Sequence, residues 1–208
     1  MNNTIDSFTL DVTDVAAAQT FYETAFGLSE RLRFRLADAG TSGFRGYTLS
    51  LVASQPGNVR ALFDAAVTAG ATVVKPVSKS LWGVGGVVQA PDGALWNIAT
   101  SAKKDTAPVA KAFDHVVLLL GVDDVRASRA FYADRGFRVR KSFGSYVDFE
   151  TPAGSIGLGL YKRAALAKSA GVSPDGSGSH RITVHGAIGA VVDADGFAWE
   201  PVTAAANT

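Results

Sequence analysis

The chain has three histidines, His115, His180 and His185, and no cysteine. Any metal held by its side chains must therefore use His, Asp or Glu. On a strand starting near Phe113, His115 shares a face with Val117 and Leu119, because side chains alternate along a strand. On a strand starting near His180, that residue shares a face with Ile182 and Val184, and His185 falls on the other face or in the following turn. Glu200 sits with Ala198 and Val202, opposite Phe197 and Trp199. If these three strands lie side by side, His115, His180 and Glu200 bring two imidazoles and one carboxylate to a point. That is the facial set used for non-haem Fe(II), and it also suits Zn(II) or Mn(II) with bound water. The competing reading makes each an ordinary polar residue near a sheet end.

Other chemistry is excluded or unsupported. The absence of cysteine removes disulfides and thiolate nucleophiles. There is no Gly-x-Ser-x-Gly, no Gly-x-x-x-x-Gly-Lys-Ser/Thr and no Gly-x-Gly-x-x-Gly opening a helix, so acyl-transfer elbows, P-loops and nucleotide cofactors have no support. Twenty Lys and Arg against 19 Asp and Glu give a formal net charge of +1, which offers nucleic acid no electrostatic footprint. The densest basic stretch, Arg126 to Lys141, is interrupted by Asp134 and reads as a solvated face. The longest apolar run, Val116 to Leu120, is far below the roughly 18 residues of a membrane span. The first residues, MNNTIDSFTLDV, show no basic segment followed by an apolar stretch, so a cytoplasmic location is expected.

The elements that must position these residues come in duplicate. The segment from Ile5 to Gly27 reappears from Phe113 to Gly136, aligning Asp14, Phe21 and Tyr22 with Asp124, Phe131 and Tyr132. QAPDGALWN, from Gln89, reappears as VDADGFAWE, from Val192, with Asp-Gly-x-x-Trp in common. In each half an apolar strand leads to an Asp that caps an amphipathic helix, and Gly27 or Gly136 ends it. Short alternating segments follow, in the order β-α-β-β-β. A second unit in the first half is expected from Tyr47, with Asn58 capping its helix. In the second half the late unit keeps only strands at 180–184, 187–192 and 197–202, and residues 163–178 read as a possible helix running into a flexible loop. The expected organisation is a first half at 1–101, a linker at 102–111 and a second half at 112–205. Ser7 and Asn97 stand in the first half where His115 and Glu200 stand in the second, so any metal site belongs to the second half.

The doubled DVAAAQTFYETAFGL and DVRASRAFYADRGF, with the late APDGALWN and DADGFAWE, resemble the vicinal oxygen chelate superfamily. This group includes glyoxalase I, extradiol dioxygenases and bleomycin-resistance proteins. The resemblance covers nearly the whole chain except 163–178. It implies an α+β fold of tandem β-α-β-β-β modules forming two curved, cup-like mixed sheets. It also implies a ligand on the first strand, one on the strand opening the second module and a Glu on the last strand. Those places fall on His115, His180 and Glu200.

Two functions follow as expectations. The first is a glyoxalase-like, metal-dependent lyase, isomerase or dioxygenase acting on a small substrate with vicinal oxygens. Its divalent ion would be Fe, Mn, Ni or Zn, and Glu200 is the candidate catalytic residue for moving a proton. The second is a metal-free small-molecule or drug-binding protein of the bleomycin-resistance type. Both take a small-molecule partner, neither nucleic acid nor membrane, and either is compatible with a monomer or a homodimer.

Overall fold

The computed structural model describes residues 3–28, 30–38 and 40–202. The outermost residues of the two expected halves, 1–2 and 203–205, lie outside these. The chain runs β1 (Ile5–Val12), α1 (Val15–Phe26), β2 (Leu32–Leu36), β3 (Thr41–Gly43), β4 (Tyr47–Val52), α2 (Pro56–Thr68), β5 (Thr72–Ser80), β6 (Gly83–Gln89) and β7 (Leu95–Thr100). It continues β8 (His115–Val122), α3 (Val125–Asp134), β9 (Val139–Phe143), β10 (Tyr146–Phe149), β11 (Gly157–Lys162), α4 (Arg163–Ala170), β12 (Gly176–Gly178), β13 (Ile182–Gly186), β14 (Val191–Val192) and β15 (Ala198–Glu200).

The local reasons for the helices are largely those expected. Asp14 accepts from the Ala17 amide, and Asp124 from the amides of Arg126 and Ala127, so each caps its helix. Gly27 closes α1 in the left-handed region, at φ 65°. Asn58 differs from expectation. Because Pro56 supplies a pre-set first turn, α2 starts earlier, after Gln55. Asn58 Oδ1 then accepts from the Ala110 amide, and Gln55 Oε1 from the Thr106 and Ala107 amides. The residues expected to link the halves are thus stitched onto the start of α2.

Two large sheets result, with a small third sheet pairing β12 with β3. The order of the larger is β5-β6-β7-β4-β8-β11-β10-β9, and that of the other β14-β15-β13-β1-β2. Each takes strands from both halves. β4 and β8 are antiparallel at the centre of the larger sheet, with β7 and β11 parallel outside them. The smaller sheet repeats this centre as β15-β13-β1-β2. The first unit therefore pairs with the fourth and the second with the third.

One face of each sheet joins a common core. Phe8, Leu10, Val184 and Trp199 from the smaller sheet and Leu49, Trp96, Leu118 and Leu160 from the larger are buried in it. The repeated Phe-Tyr and Trp serve this core. Tyr22 donates to Asp92 at 2.8 Å and accepts from the Trp96 indole at 3.3 Å. Tyr132 donates to Asp193 at 2.5 Å and accepts from Trp199 at 3.3 Å.

Candidate functional site

The faces turned away from this core differ between the sheets. On the larger one, α4 lies across the strands. Leu166, Ala167 and Ala170 pack there against Phe44, Val87 and Leu95, with Leu119 and Tyr161 at their edge. Within residues 163–178 the expected helix forms over Arg163–Ala170 and covers this face of the larger sheet. The loop after it closes as β12 against β3.

On the smaller sheet this face is polar. Ser7, His185 and Glu200 lie opposite one another across β1, β13 and β15. The next row holds Arg33, Thr9 and Thr183, and the one beyond it Arg35 and Asp11. Ser7, Thr9, Thr183 and His185 are buried, His185 to 4% exposure, whereas Glu200 is exposed. His185 Nε2 is 2.7 Å from Thr9 Oγ1, and Glu200 Oε2 lies 3.8 Å from His185 Nδ1. Arg35 pairs with Asp11 at 2.8 Å. His185 Nδ1 and Ser7 Oγ are buried with no hydrogen-bond partner. Burial pulls the His185 imidazole below the usual histidine range, opposed by the Glu200 carboxylate and the nearby Pro201 carbonyl and reinforced by the Arg33 guanidinium. A neutral imidazole with a carboxylate beside one ring nitrogen can accept, donate or relay a proton.

The three residues singled out from sequence are not brought together. His115 opens β8 in the larger sheet, opposite Val52, and is exposed. Its row continues through Val52 to Ala99, neither a ligand. His180 precedes β13 instead of lying in it, because Arg181 takes a positive φ of 54° and breaks the extended run. The ring of His180 stacks on Phe197 at 4.0 Å, and its two nitrogens meet the carbonyls of Arg45 at 2.6 Å and Asp195 at 2.9 Å. Both nitrogens are thus faced by backbone carbonyl oxygens, and neither is open to a metal. Glu200 alone of the three reaches the polar face, and its imidazole neighbour is His185. The signal for His185 was present in the alternation. Ile182 and Val184 are the apolar phase of β13 and enter the core, so Thr183 and His185 must take the other face.

No curated protein matches the sequence. A family model described as bleomycin resistance protein-like N-terminal matches residues 115–152. Among solved structures, glyoxalase I from Zea mays superposes with a TM-score of 0.61 at 14% identity, covering 95% of this chain and 91% of that one. Its V278E variant gives 0.62, also at 14% identity, with the same coverage. A Bacillus subtilis protein provisionally described as a dioxygenase gives 0.56 at 15% identity, covering 94% of this chain and 73% of that one. The chain has the vicinal oxygen chelate fold.

The vicinal oxygen chelate fold raises the question of a metal, which the donor set answers. The row that holds Glu200 supplies two strong donors, Glu200 and His185, and ends in the hydroxyl of Ser7. Among the described residues no three His, Asp or Glu side chains are grouped so as to hold an ion. Because the vicinal oxygen chelate units pair first with fourth and second with third, His115 and Glu200 are sorted into different sheets. The residues present do not fit a resident metal at His115, His180 and Glu200.

Proposed function

We propose that the chain binds a small, oxygen-rich molecule on the polar face of the five-stranded sheet, through direct hydrogen bonds and without a resident metal. The observation that carries this is the pair of buried, unpartnered atoms, Ser7 Oγ and His185 Nδ1. Buried polar groups in folded proteins nearly always have partners, and each one left alone costs about 1–3 kcal/mol. A ligand bearing neighbouring hydroxyl or carboxylate oxygens would supply both partners at once. Thr183, Arg33 and Glu200 border the same rows, so donors and an acceptor surround it. Of the two functions expected from the sequence, this is the small-molecule-binding one. His185 beside Glu200 also gives the site a means of moving a proton.

The test is a two-dimensional NMR titration of the full chain with lactate, tartrate and catechol, run with and without EDTA, together with elemental analysis of protein purified without an affinity metal. Shifts clustered on β1, β13 and β15, indifferent to EDTA and lost in His185→Ala, are expected. Binding abolished by EDTA, with stoichiometric metal lost in Glu200→Gln, would overturn the metal-free reading in favour of a metal-dependent enzyme.

A further inference from the structure

We infer a second binding site, independent of the polar face, for a small carboxylate with a short apolar body. It is a cleft of about 200 Å³ beside the β6–β7 turn, bounded by Phe44, Arg45, Tyr47, Gln89, Leu95 and Val172. Its volume is below the roughly 300 Å³ at which sites for drug-sized ligands begin, so the occupant has only a few heavy atoms.

The argument rests on Tyr47. Its ring belongs to the common core and is 2% exposed, yet its buried hydroxyl finds no acceptor in the protein; the neighbour it faces is the Arg45 guanidinium, itself only a donor. Burial in the core drives the phenol pKa well up, so the group stays a hydroxyl able to donate. Arg45 is next to it in the cleft. Its guanidinium lies over Gly93, where an added Cβ would come within 2.6 Å of a terminal nitrogen, and one N–H donates to the Asp92 carbonyl. A guanidinium has five N–H donors, so its contacts with Asp92 and Tyr47 leave others for a ligand. Phe44 and Leu95 are buried and, with Val172, belong to the small cluster around α4, giving the cleft an apolar wall. Asp175 on the rim accepts from Ser173 Oγ at 2.7 Å, which engages its carboxylate within its own loop. A phenol donor and a guanidinium beside an apolar wall select an acceptor-bearing head on a short hydrocarbon tail. A carboxylate answers the cation best, since charge-assisted hydrogen bonds are the stronger kind.

Butyrate is the probe, with butyramide and butanol as neutral controls at constant ionic strength, followed by NMR and thermal unfolding of the full chain. Butyrate is expected to shift amides around Tyr47, Gly93 and Leu95 and to raise the unfolding temperature more than either control. Tyr47→Phe should unfold, without ligand, close to the wild-type temperature, because no protein group accepts the phenol proton, and should bind butyrate about tenfold more weakly, a factor equal to about 1.4 kcal/mol. Arg45→Gln should abolish the preference for butyrate over butyramide. A lower unfolding temperature for Tyr47→Phe with butyrate affinity unchanged would give the hydroxyl a structural role and overturn the inference. So would equal binding of all three probes, or no butyrate shifts at this cleft.

Discussion

Replacing Tyr132 with phenylalanine should cost more stability than replacing Tyr22, although the two hold the same place in the repeat. Each hydroxyl accepts an indole N–H at 3.3 Å and donates to a carboxylate. The difference lies in the carboxylates. Asp92 is half-exposed, so water can replace a lost phenol. Asp193 is 7% exposed, and its other oxygen already accepts from the amides of Phe197 and Asp195. Hydrogen bonds to charged groups are worth about 1.5–3 kcal/mol, and a stranded buried partner adds to the loss. Tyr132→Phe should therefore cost about 3 kcal/mol and Tyr22→Phe about 1.5 kcal/mol. For a chain of this size each kcal/mol moves the unfolding midpoint about 2–4 °C, so the variants should differ by about 3–6 °C. Urea unfolding followed by tryptophan fluorescence provides the comparison. A second signature follows from charge. Burial already raises the Asp193 carboxyl above its ordinary value, and the Tyr132 hydrogen bond opposes that rise. Without the phenol the charged form is less favourable still, so the Tyr132→Phe deficit should be full at pH about 7 and shrink as the carboxyl is protonated towards pH about 4. Equal costs for the two variants, or a deficit that grows on acidification, would refute the reasoning.

Two further outcomes test other parts of the molecule. Because the folded His185 imidazole lies below the usual range, the unfolded chain takes up its proton first as pH falls, and stability should decrease from about pH 7.5 to about pH 5.5; His185→Gln should flatten that part of a curve of urea midpoint against pH. Leu166→Ala removes a 2%-exposed side chain from the small cluster under α4 and should cost about 2–3 kcal/mol, the low end for such a truncation, with a gain in dye binding by 8-anilinonaphthalene sulfonate as that face opens.

The modular architecture was legible because local chemistry and the repeat agree. Asp14 and Asp124 cap where capping residues should, and the duplicated Phe-Tyr and Trp are the side chains that build the core. The site was legible only in part, for two physical reasons. The pairing of first unit with fourth is a long-range contact that no local pattern encodes, and it decides that Glu200 shares a row with His185 and Ser7 rather than with His115. The choice between His180 and His185 depended on strand phase, and the positive φ at Arg181 removed His180 from the strand altogether. α4 was visible as a helix, but nothing in its sequence names the sheet face it covers.

The pairing of β1 with β13 also sets a timetable for biosynthesis. At about 5–20 residues per second, the ribosome delivers Ile182 on the order of ten to thirty seconds after Val12, and until then β1 lacks its antiparallel neighbour. β4, α2, β5, β6 and β7 are by contrast contiguous in the chain and can assemble early. The nascent protein thus carries an open strand edge through most of its translation, and a chaperone that shields Phe8 and Leu10 over that interval would raise the yield of correctly closed molecules.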